Sequence, residues 1–233
     1  MIDLHNIDCM EYMRGLPDKA YDLAIVDPPY GINVLKQKAA RDEVGTGAIG
    51  AKMKRKRWEH KPWDDSIPMA EYFCELRRVS TDQIVWGGNY MTAHLDPSPC
   101  WIFWDKKVSA NLPDGELAWT SFDTGIQKFD WLWTGCWQQE MGARKEVRIH
   151  PTQKPVALYR WLLQNYAKPG QKILDTHGGS MSIAIACDIE GYDLDLCELD
   201  KDYFEAGKKR LEQHQSQPGC SPQSHHRSPN NSQ

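Results

Sequence analysis

The chain has 233 residues, of which 40% are hydrophobic, and it carries 28 Lys plus Arg against 32 Asp plus Glu. This length suits one domain, and seven scattered cysteines without a Cys-x-x-Cys pair argue against a disulfide framework or a zinc ribbon. No stretch approaches the roughly 18 apolar residues that a membrane helix needs, and the N-terminus does not resemble a secretory signal. We therefore expect a cytoplasmic protein with no membrane partner, and the net charge of −4 does not by itself indicate a nucleic-acid binder.

In the first half of the chain, a short apolar strand over residues 22–26 must end at Asp27-Pro28-Pro29-Tyr30, because successive prolines cannot continue a strand ladder. Residues 33–62 lack periodicity and contain nine basic and three acidic residues, so this basic loop has a net charge of +6. Loops of this length are usually functional or disordered. A helix is predicted from residue 67 to 79, and further strands are predicted at 83–86, 100–104, 117–122 and 129–133.

The last third alternates between helices and strands. Helices are predicted at 156–166, 181–189 and 202–211, and strands at 172–175 and 192–197. This alternation predicts βαβ units and therefore an α/β fold with a largely parallel sheet. We expect a single domain over residues 1–212, followed by a disordered polar tail at 213–233.

The segment Asp27-Pro28-Pro29-Tyr30 is the first candidate site. It follows a strand, and the carboxyl ends of parallel strands face the crevice in which α/β proteins bind ligands. An anionic acceptor, a rigid backbone carbonyl and an aromatic ring meet here within four residues. This set suits a planar group that carries an NH₂, since both hydrogens find an acceptor and the ring can stack.

The second candidate site is the turn Asp175-Thr176-His177-Gly178-Gly179-Ser180, which joins a strand to a helix. Such glycine turns let the backbone approach a nucleotide-like ligand, and the helix N-terminus favours a negative group. Glu198 lies 19 residues after Gly179, at the end of the next predicted strand. An acidic residue at that spacing can accept both hydroxyls of a ribose.

A third segment, His150-Pro151-Thr152-Gln153-Lys154-Pro155, precedes a helix and alone would be an ordinary helix start. Together and in this order, the three segments resemble the permuted, β-class DNA amino-methyltransferases, which methylate adenine N6 or cytosine N4 with S-adenosylmethionine. The likeness extends over 2–211 and is greatest to small phage and prophage adenine methyltransferases, some of which belong to restriction-modification systems. It rests also on the segments 84–90, 101–106 and 117–122.

The resemblance implies a Rossmann-like fold with a mostly parallel, seven-stranded sheet, helices on both faces and a permuted motif order. The catalytic half would span about 1–135 and the cofactor half about 150–212. Asp27, Pro28, Pro29 and Tyr30 would hold the target base. The remaining implied contacts are with the cofactor: its methionine part at Asp175 to Ser180, its ribose at Glu198, its adenine at Asp8, and its carboxylate at Thr152 and Lys154.

One residue departs from the family pattern. The turn usually reads Gly-Ser-Gly, whereas this chain has Gly179-Ser180-Met181. If the backbone at position 181 needs a positive φ or a close approach to the cofactor, methionine is disfavoured there and cofactor affinity suffers.

DNA is the expected partner, and a homodimer is compatible with the resemblance. The basic loop follows the catalytic segment directly, so we expect it to contact DNA phosphates through Lys52, Lys54, Arg55, Lys56 and Arg57. Target recognition would fall in residues 123–149, where Trp131, Trp133 and Trp137 could stack on bases or sugars.

Several alternatives stay open at this point. Cytosine N4 or an RNA could be the substrate, and adenine is favoured only by the association of Asp with the Pro-Pro-Tyr motif in adenine-specific relatives. A catalytically weak DNA-binding homologue is the second alternative, because of Met181. A dinucleotide-dependent oxidoreductase is the third, but it would place its glycine turn near the N-terminus and would not explain Asp27 to Tyr30.

Overall fold

The computed structural model of the chain describes residues 1–34, 58, 61–108, 113–134 and 137–217. Within them, eight strands form one sheet. The first four in chain order are β1 (Ile2–His5), β2 (Tyr21–Val26), β3 (Ser80–Trp86) and β4 (Trp101–Asp105). The others are β5 (Gly115–Thr120), β6 (Gln127–Asp130), β7 (Lys172–Asp175) and β8 (Asp193–Cys197).

The strands lie in the order β1-β8-β7-β2-β3-β5-β4-β6. All neighbours pair in parallel except β5, which is antiparallel to both β3 and β4. Strands β2 and β7, which carry the first two candidate sites, are therefore direct neighbours although they are far apart in sequence; Leu23 pairs with Ile173. Their carboxyl ends meet at the same edge of the sheet.

Five α-helices of more than one turn cover this sheet in the described residues: α1 (Cys9–Arg14), α2 (Ala70–Val79), α3 (Val156–Tyr166), α4 (Ser182–Glu190) and α5 (Lys201–Gln215). One core forms where α3, α4 and α5 bury Leu158, Ile183 and Leu211 against the sheet. The second core lies on the other face, where α1 and α2 bury Met13 and Phe73. Helices thus pack on both faces, as the α/β prediction requires. No helix among the described residues has both the length and the apolarity to cross a bilayer.

The sequence predicted most elements correctly but not all. The predicted bounds of α3 and β7 agree with the structure, whereas β1 and α1 were not identified as elements, and the sheet has eight strands rather than seven. Helix α5 continues to Gln215, so residues 213–215 belong to the domain and not to a tail. Residues 218–233, the rest of the predicted tail, lie outside the described residues.

Candidate active site

The first candidate segment, Asp27-Pro28-Pro29-Tyr30, begins where β2 ends. Val26 is the last residue of the strand, Pro28 is buried, and the side chain of Asp27 is 18% exposed. Three neighbours supply charged groups at the same edge of the sheet: Lys106 follows the carboxyl end of β4, Glu116 stands near the start of the antiparallel β5, and Lys154 precedes α3. The strand order therefore brings together residues that are distant in sequence.

These side chains form a charged cluster of alternating sign, defined here as Asp27, Lys154, Glu116 and Lys106. The ammonium of Lys154 is paired with Asp27 Oδ2 and lies 3.3 Å from Glu116 Oε2. Lys106 pairs with the other oxygen of the same glutamate, Oε1. The Tyr30 hydroxyl donates to Asp27 Oδ1 at 2.8 Å and accepts from Lys154 Nζ at 3.1 Å. The cluster contains two carboxylates and two ammonium groups, so its charges balance.

Burial and these ion pairs shift the pKa values in the cluster. Burial raises the pKa of Asp27, and Lys154 acts against that rise. Burial would lower the pKa of Lys154, but the carboxylates of Asp27 and Glu116 raise it. Although burial would raise the pKa of Glu116, Lys106 and Lys154 together lower it to about 2. Lys154 and Glu116 are therefore both ionised at neutral pH.

Asp64 holds the backbone that follows Asp27. This buried carboxylate accepts the N–H groups of Tyr30 and Gly31, each at 3.0 Å through Oδ1, and that of Val34 at 2.8 Å through Oδ2. Gly31 and Asn33 both have a positive φ, of 68° and 53°. Three charge-assisted hydrogen bonds thus fix a turn that would otherwise be unfavourable.

The ring of Tyr30 is enclosed by the segment after β3. Gly87 has a φ of 69°, and a Cβ atom there would lie 2.2 Å from Tyr30 Cε1, so only glycine lets the backbone pass this close. Tyr90 stacks on the Tyr30 ring with their centroids 5.2 Å apart, and it remains 47% exposed. The two tyrosines form an aromatic wall at the mouth of the site.

The glycine turn lies at the end of β7, beside the catalytic segment. Asp175 Oδ1 accepts the His177 N–H at 2.9 Å, and Thr176 shares its hydroxyl with Tyr72 of α2 at 2.7 Å. A Cβ atom on Gly178 would lie 2.2 Å from Leu196 Cδ2, so this position has no room for a side chain. Burial raises the pKa of Asp175 to about 8 and lowers that of His177 to about 4.

Glu198 follows β8 and spans the glycine turn. Its Oε2 accepts the Gly179 N–H at 2.7 Å, and its Oε1 accepts the Asp200 N–H at 2.8 Å. An ionised carboxylate has about four acceptor sites, so two remain for a ligand's hydroxyls. Burial raises the pKa of Glu198.

The surroundings of Met181 show how the chain accommodates methionine at a position where the family usually has glycine. It has a φ of 55°, so the position does need the left-handed conformation. Its side chain is fully buried, and a Cβ atom on Gly207 of α5 would lie 2.6 Å from its Cγ. The methionine therefore fills the space between α4 and α5 that glycine at 207 leaves open. It costs backbone strain but packs in the core.

The other residues that are predicted to bind the cofactor make contacts within the protein itself. Thr152 Oγ1 lies 3.0 Å from His150 Nδ1, and this imidazole would be 3.7 Å from a Cβ atom on Gly179, so Thr152 is close to the turn. Ser180 shares a hydrogen bond with Ser182 at 3.1 Å. Asp8 caps α1 by accepting two backbone N–H groups through Oδ1. The ammonium of Lys154 pairs within the charged cluster and not with the turn, and its contact with a cofactor carboxylate stays a prediction.

The predicted DNA-contacting residues Lys52, Lys54, Arg55, Lys56 and Arg57 lie outside the described residues. Of the nine basic residues in the loop, the structure describes Lys61, which pairs with Asp200 and Asp202 at 2.6 and 2.8 Å. In the recognition stretch, Trp133 is 6% exposed and donates to Gln153 O, and Trp131 stacks on Phe129. Only Trp137, at 61% exposure, remains for stacking among these three.

Sequence reasoning missed three residues of this site: Glu116, Lys106 and Asp64. Lys106 and Glu116 stand at the ends of paired strands, Trp104 being the register partner of Glu116. A charged residue at the end of each of two adjacent strands was the available signal. Asp64 lies directly after Trp63 at the end of the basic loop and gave no comparable signal.

Comparison with known proteins shows what the chain is similar to. Residues 101–209 match the model of a family described as DNA methylase, of the N6/N4 type. The chain is 23% identical over 218 residues to YubD of Escherichia coli (strain K12), which is named as a methylase; the match covers 88% of this chain and 87% of that one.

Solved structures extend the likeness to nearly the whole chain. The complex of M1.HpyAVI with S-adenosylmethionine superposes with a TM-score of 0.53 at 17% identity, covering 90% of this chain and 100% of the other. The PvuII DNA methyltransferase, which is cytosine-N4-specific, gives 0.57 at 11% identity, covering 92% and 90%. At these identities the structural matches establish the fold. The chain therefore has the fold of the S-adenosylmethionine-dependent DNA methyltransferases, and its residues 101–209 carry the sequence pattern of the N6/N4 DNA methylase family.

Proposed function

We propose that this protein transfers a methyl group from S-adenosylmethionine to the exocyclic N6 of adenine in DNA. The observation that carries the proposal is the placement of Asp27, Pro28 and Tyr30 at the end of β2, directly beside the glycine turn at the end of β7. A base held by the first segment and a cofactor held by the second would meet at one edge of the sheet.

The residues around the turn fit S-adenosylmethionine, which supplies a methyl group on a positively charged sulfur. Glu198 retains acceptor sites for the ribose hydroxyls, and the absence of a side chain at Gly179 gives the methionine part access to the backbone. Asp8 and Thr152 would complete the site at the adenine and the carboxylate. His177 is neutral at physiological pH, because burial holds its pKa at about 4, so it adds no positive charge beside the sulfonium.

Asp27 and the Pro28 carbonyl would act on the amino group of the base. The nitrogen is a poor nucleophile because its lone pair is delocalised into the ring, and it gains positive charge as it attacks. By accepting the two amino hydrogens, these oxygens favour the tetrahedral geometry and stabilise the developing charge. After the methyl group has moved from sulfur to nitrogen, the nitrogen would lose one of these protons through the Asp27 carboxylate. Holding the reacting atoms in line lowers the barrier further.

Tyr30 and Tyr90 would bind the base after it leaves the duplex. Extrusion costs a few kcal/mol of stacking and pairing, and stacking on an aromatic ring returns part of that cost. The Tyr30 hydroxyl is held by Asp27 and Lys154, which fixes the plane of the ring before the base arrives. Lys52 and Lys54 to Arg57 would contact the phosphates, and Trp137 would supply a stacking surface.

Methylation of cytosine N4 is the second candidate, favoured by the superposition on the cytosine-N4-specific PvuII enzyme. Both bases present an exocyclic NH₂ conjugated to a ring, so the same acceptors could serve either one. Pocket shape decides between them, and the proposal of adenine rests on the resemblance of the Asp27 to Tyr30 segment.

The test is to incubate the protein with isotopically labelled S-adenosylmethionine and unmethylated genomic DNA, digest the DNA, and identify the labelled nucleoside by mass spectrometry. We expect N6-methyladenine, and none with Asp27→Ala. Labelled N4-methylcytosine would show that cytosine, the base of the second candidate function, is the substrate instead of adenine. No labelled nucleoside, with cofactor binding intact by calorimetry, would leave the catalytically weak DNA-binding homologue.

A further inference from the structure

Both oxygens of Asp27 are engaged in the structure. Oδ1 accepts the Tyr30 hydroxyl at 2.8 Å, and Oδ2 is paired with Lys154. An incoming amino group would therefore share each oxygen with a group already bound to it, and the Lys154 ammonium draws on the same negative charge. The side chain of Lys154 is only 3% exposed, so water cannot take over the charge of its ammonium if that contact loosens.

Glu116 provides the alternative partner. Of the acidic side chains that the structure describes, Asp27 and Glu116 are the two within ion-pair distance of Lys154, and the distance from Nζ to Glu116 Oε2 is already 3.3 Å. A small movement of the ammonium towards Oε2 would free Asp27 Oδ2 without leaving the lysine uncompensated.

We propose that Glu116 is a positioning residue of the reaction, which holds Lys154 while Asp27 receives the amino group of the base. This inference rests on the proposed function and deepens it, because Glu116 acts on Asp27 through Lys154 and does not itself touch the substrate. The catalytic aspartate is thereby kept available as an acceptor, although Lys154 itself is too buried for water to balance its charge.

Lys106 controls how strongly Glu116 competes. It binds Oε1, the oxygen that does not face Lys154, and its ammonium lies 4.7 Å from the centre of the Trp104 ring. One of the two oxygens of Glu116 is thus paired with Lys106. Removing that ammonium would leave the whole carboxylate for Lys154, whereas removing the carboxylate would leave Lys154 to Asp27 alone.

The groups that face Asp27 come from several elements. Lys154 lies before α3 and Tyr159 lies within it, Glu116 comes from β5, Asp175 from β7, and Tyr30 from the catalytic segment itself. Among them, the Glu116 charge raises the pKa of Asp27 and the Lys154 charge lowers it. Two substitutions in the same charged cluster should therefore move the ionisation of Asp27 in opposite directions.

The test compares Glu116→Gln and Lys106→Met in the full chain, using the pH profile of kcat at saturating cofactor and DNA. In Glu116→Gln, Lys154 stays on Asp27, so we expect kcat to fall about tenfold and the acid limb to move down by roughly one pH unit. In Lys106→Met, Glu116 draws Lys154 away, and the acid limb should rise by roughly half a unit to one unit. Cofactor affinity, measured by calorimetry, should change less than about twofold in both.

Lys128→Met is the matched control, because this lysine pairs with Asp105 on the neighbouring β4 and with Asp130 on its own strand, and it is 49% exposed. Its profile should coincide with that of the wild type. A lower kcat in Glu116→Gln with an unmoved acid limb, or shifts of the same sign in both variants, would overturn the inference.

If circular dichroism shows that Glu116→Gln does not fold, Lys106→Met decides alone. An acid limb of its pH profile that does not rise refutes the role of Glu116. A wild-type protein that methylates no DNA would refute the proposed function and this inference with it. Wild-type methylation with unmoved variants refutes only the inference.

Discussion

Two neighbouring strands end in regions built by opposite means. After β2, the charged cluster consists of side chains that neutralise one another, with Lys154 between Asp27 and Glu116. After β7, the glycine turn depends on backbone groups and on space, since Gly178 has no room for a Cβ atom and Gly179 donates its N–H to Glu198. The first region is sensitive to charge and the second to volume, so substitutions should separate chemistry from cofactor binding.

Asp27→Asn would test the first region most severely. It preserves the shape of the side chain but removes the negative charge, so we expect methyl transfer to fall by about 10²–10³-fold, as for loss of a key electrostatic contact. Cofactor affinity should stay within about threefold of the wild type by calorimetry. Asp3→Asn on the exposed side of β1 is the control. Loss of cofactor binding in Asp27→Asn would show that the two regions are not separable.

Gly178→Ala would test the second region. The added methyl group would lie 2.2 Å from Leu196 Cδ2, and overpacking of this kind costs about 1–3 kcal/mol. We expect cofactor affinity to fall about tenfold or more as the turn shifts. Gly125→Ala, where a Cβ atom would meet nothing within 4 Å, should leave both stability and affinity unchanged. Unchanged affinity in Gly178→Ala would remove the turn from the cofactor site.

Asp64→Asn would sharpen the comparison, because it affects the catalytic side through the backbone. The substitution removes the charge that three N–H groups share, and one of them would face an amide NH₂ instead of an oxygen. Leaving a buried donor unpaired costs about 1–3 kcal/mol, measurable by urea unfolding. We expect kcat to fall about tenfold with cofactor affinity retained. A change confined to cofactor affinity would contradict this assignment.

The glycine turn should also leave a signature in the pH dependence of stability. The pKa of Asp175 is about 8 in the folded chain and about 3.9 in an unfolded one, so unfolding releases a proton and stability falls as pH rises between those values. Asp175→Asn should therefore reduce the loss of unfolding free energy between pH 5 and 8. His177 acts in the opposite sense: its pKa is about 4 when folded and 6.5 when unfolded, so it destabilises the protein as pH falls through that window. An unchanged slope in Asp175→Asn would contradict the assigned ionisation.

Much of this architecture could be predicted from local patterns. The two prolines after Val26 marked the end of β2, and alternation of helices with strands predicted the parallel sheet in the last third. Short elements escape prediction: α1 has only six residues, and only the family resemblance singles out its capping residue Asp8. A period of 3.6 residues has too few turns in such a segment to be recognised.

The charged cluster could not be predicted in the same way. Its members follow β2 and β4, lie on β5, and precede α3. Only the strand order and the reversed direction of β5 bring Glu116 beside Lys154. In a linear sequence, Lys106 and Glu116 look like solvated residues at strand ends. Their mutual pairing and partial burial give them their role, and both depend on the tertiary structure.

The contact between Met181 and Gly207 links the residue types that these two positions can hold. With methionine at 181, a methyl group at 207 would fall 2.6 Å from the methionine Cγ, so the two positions cannot change independently. A chain with methionine at 181 is therefore expected to have glycine at 207. Among relatives, alanine or larger residues at 207 should accompany glycine at 181, which makes the pair a marker for sorting them into lineages.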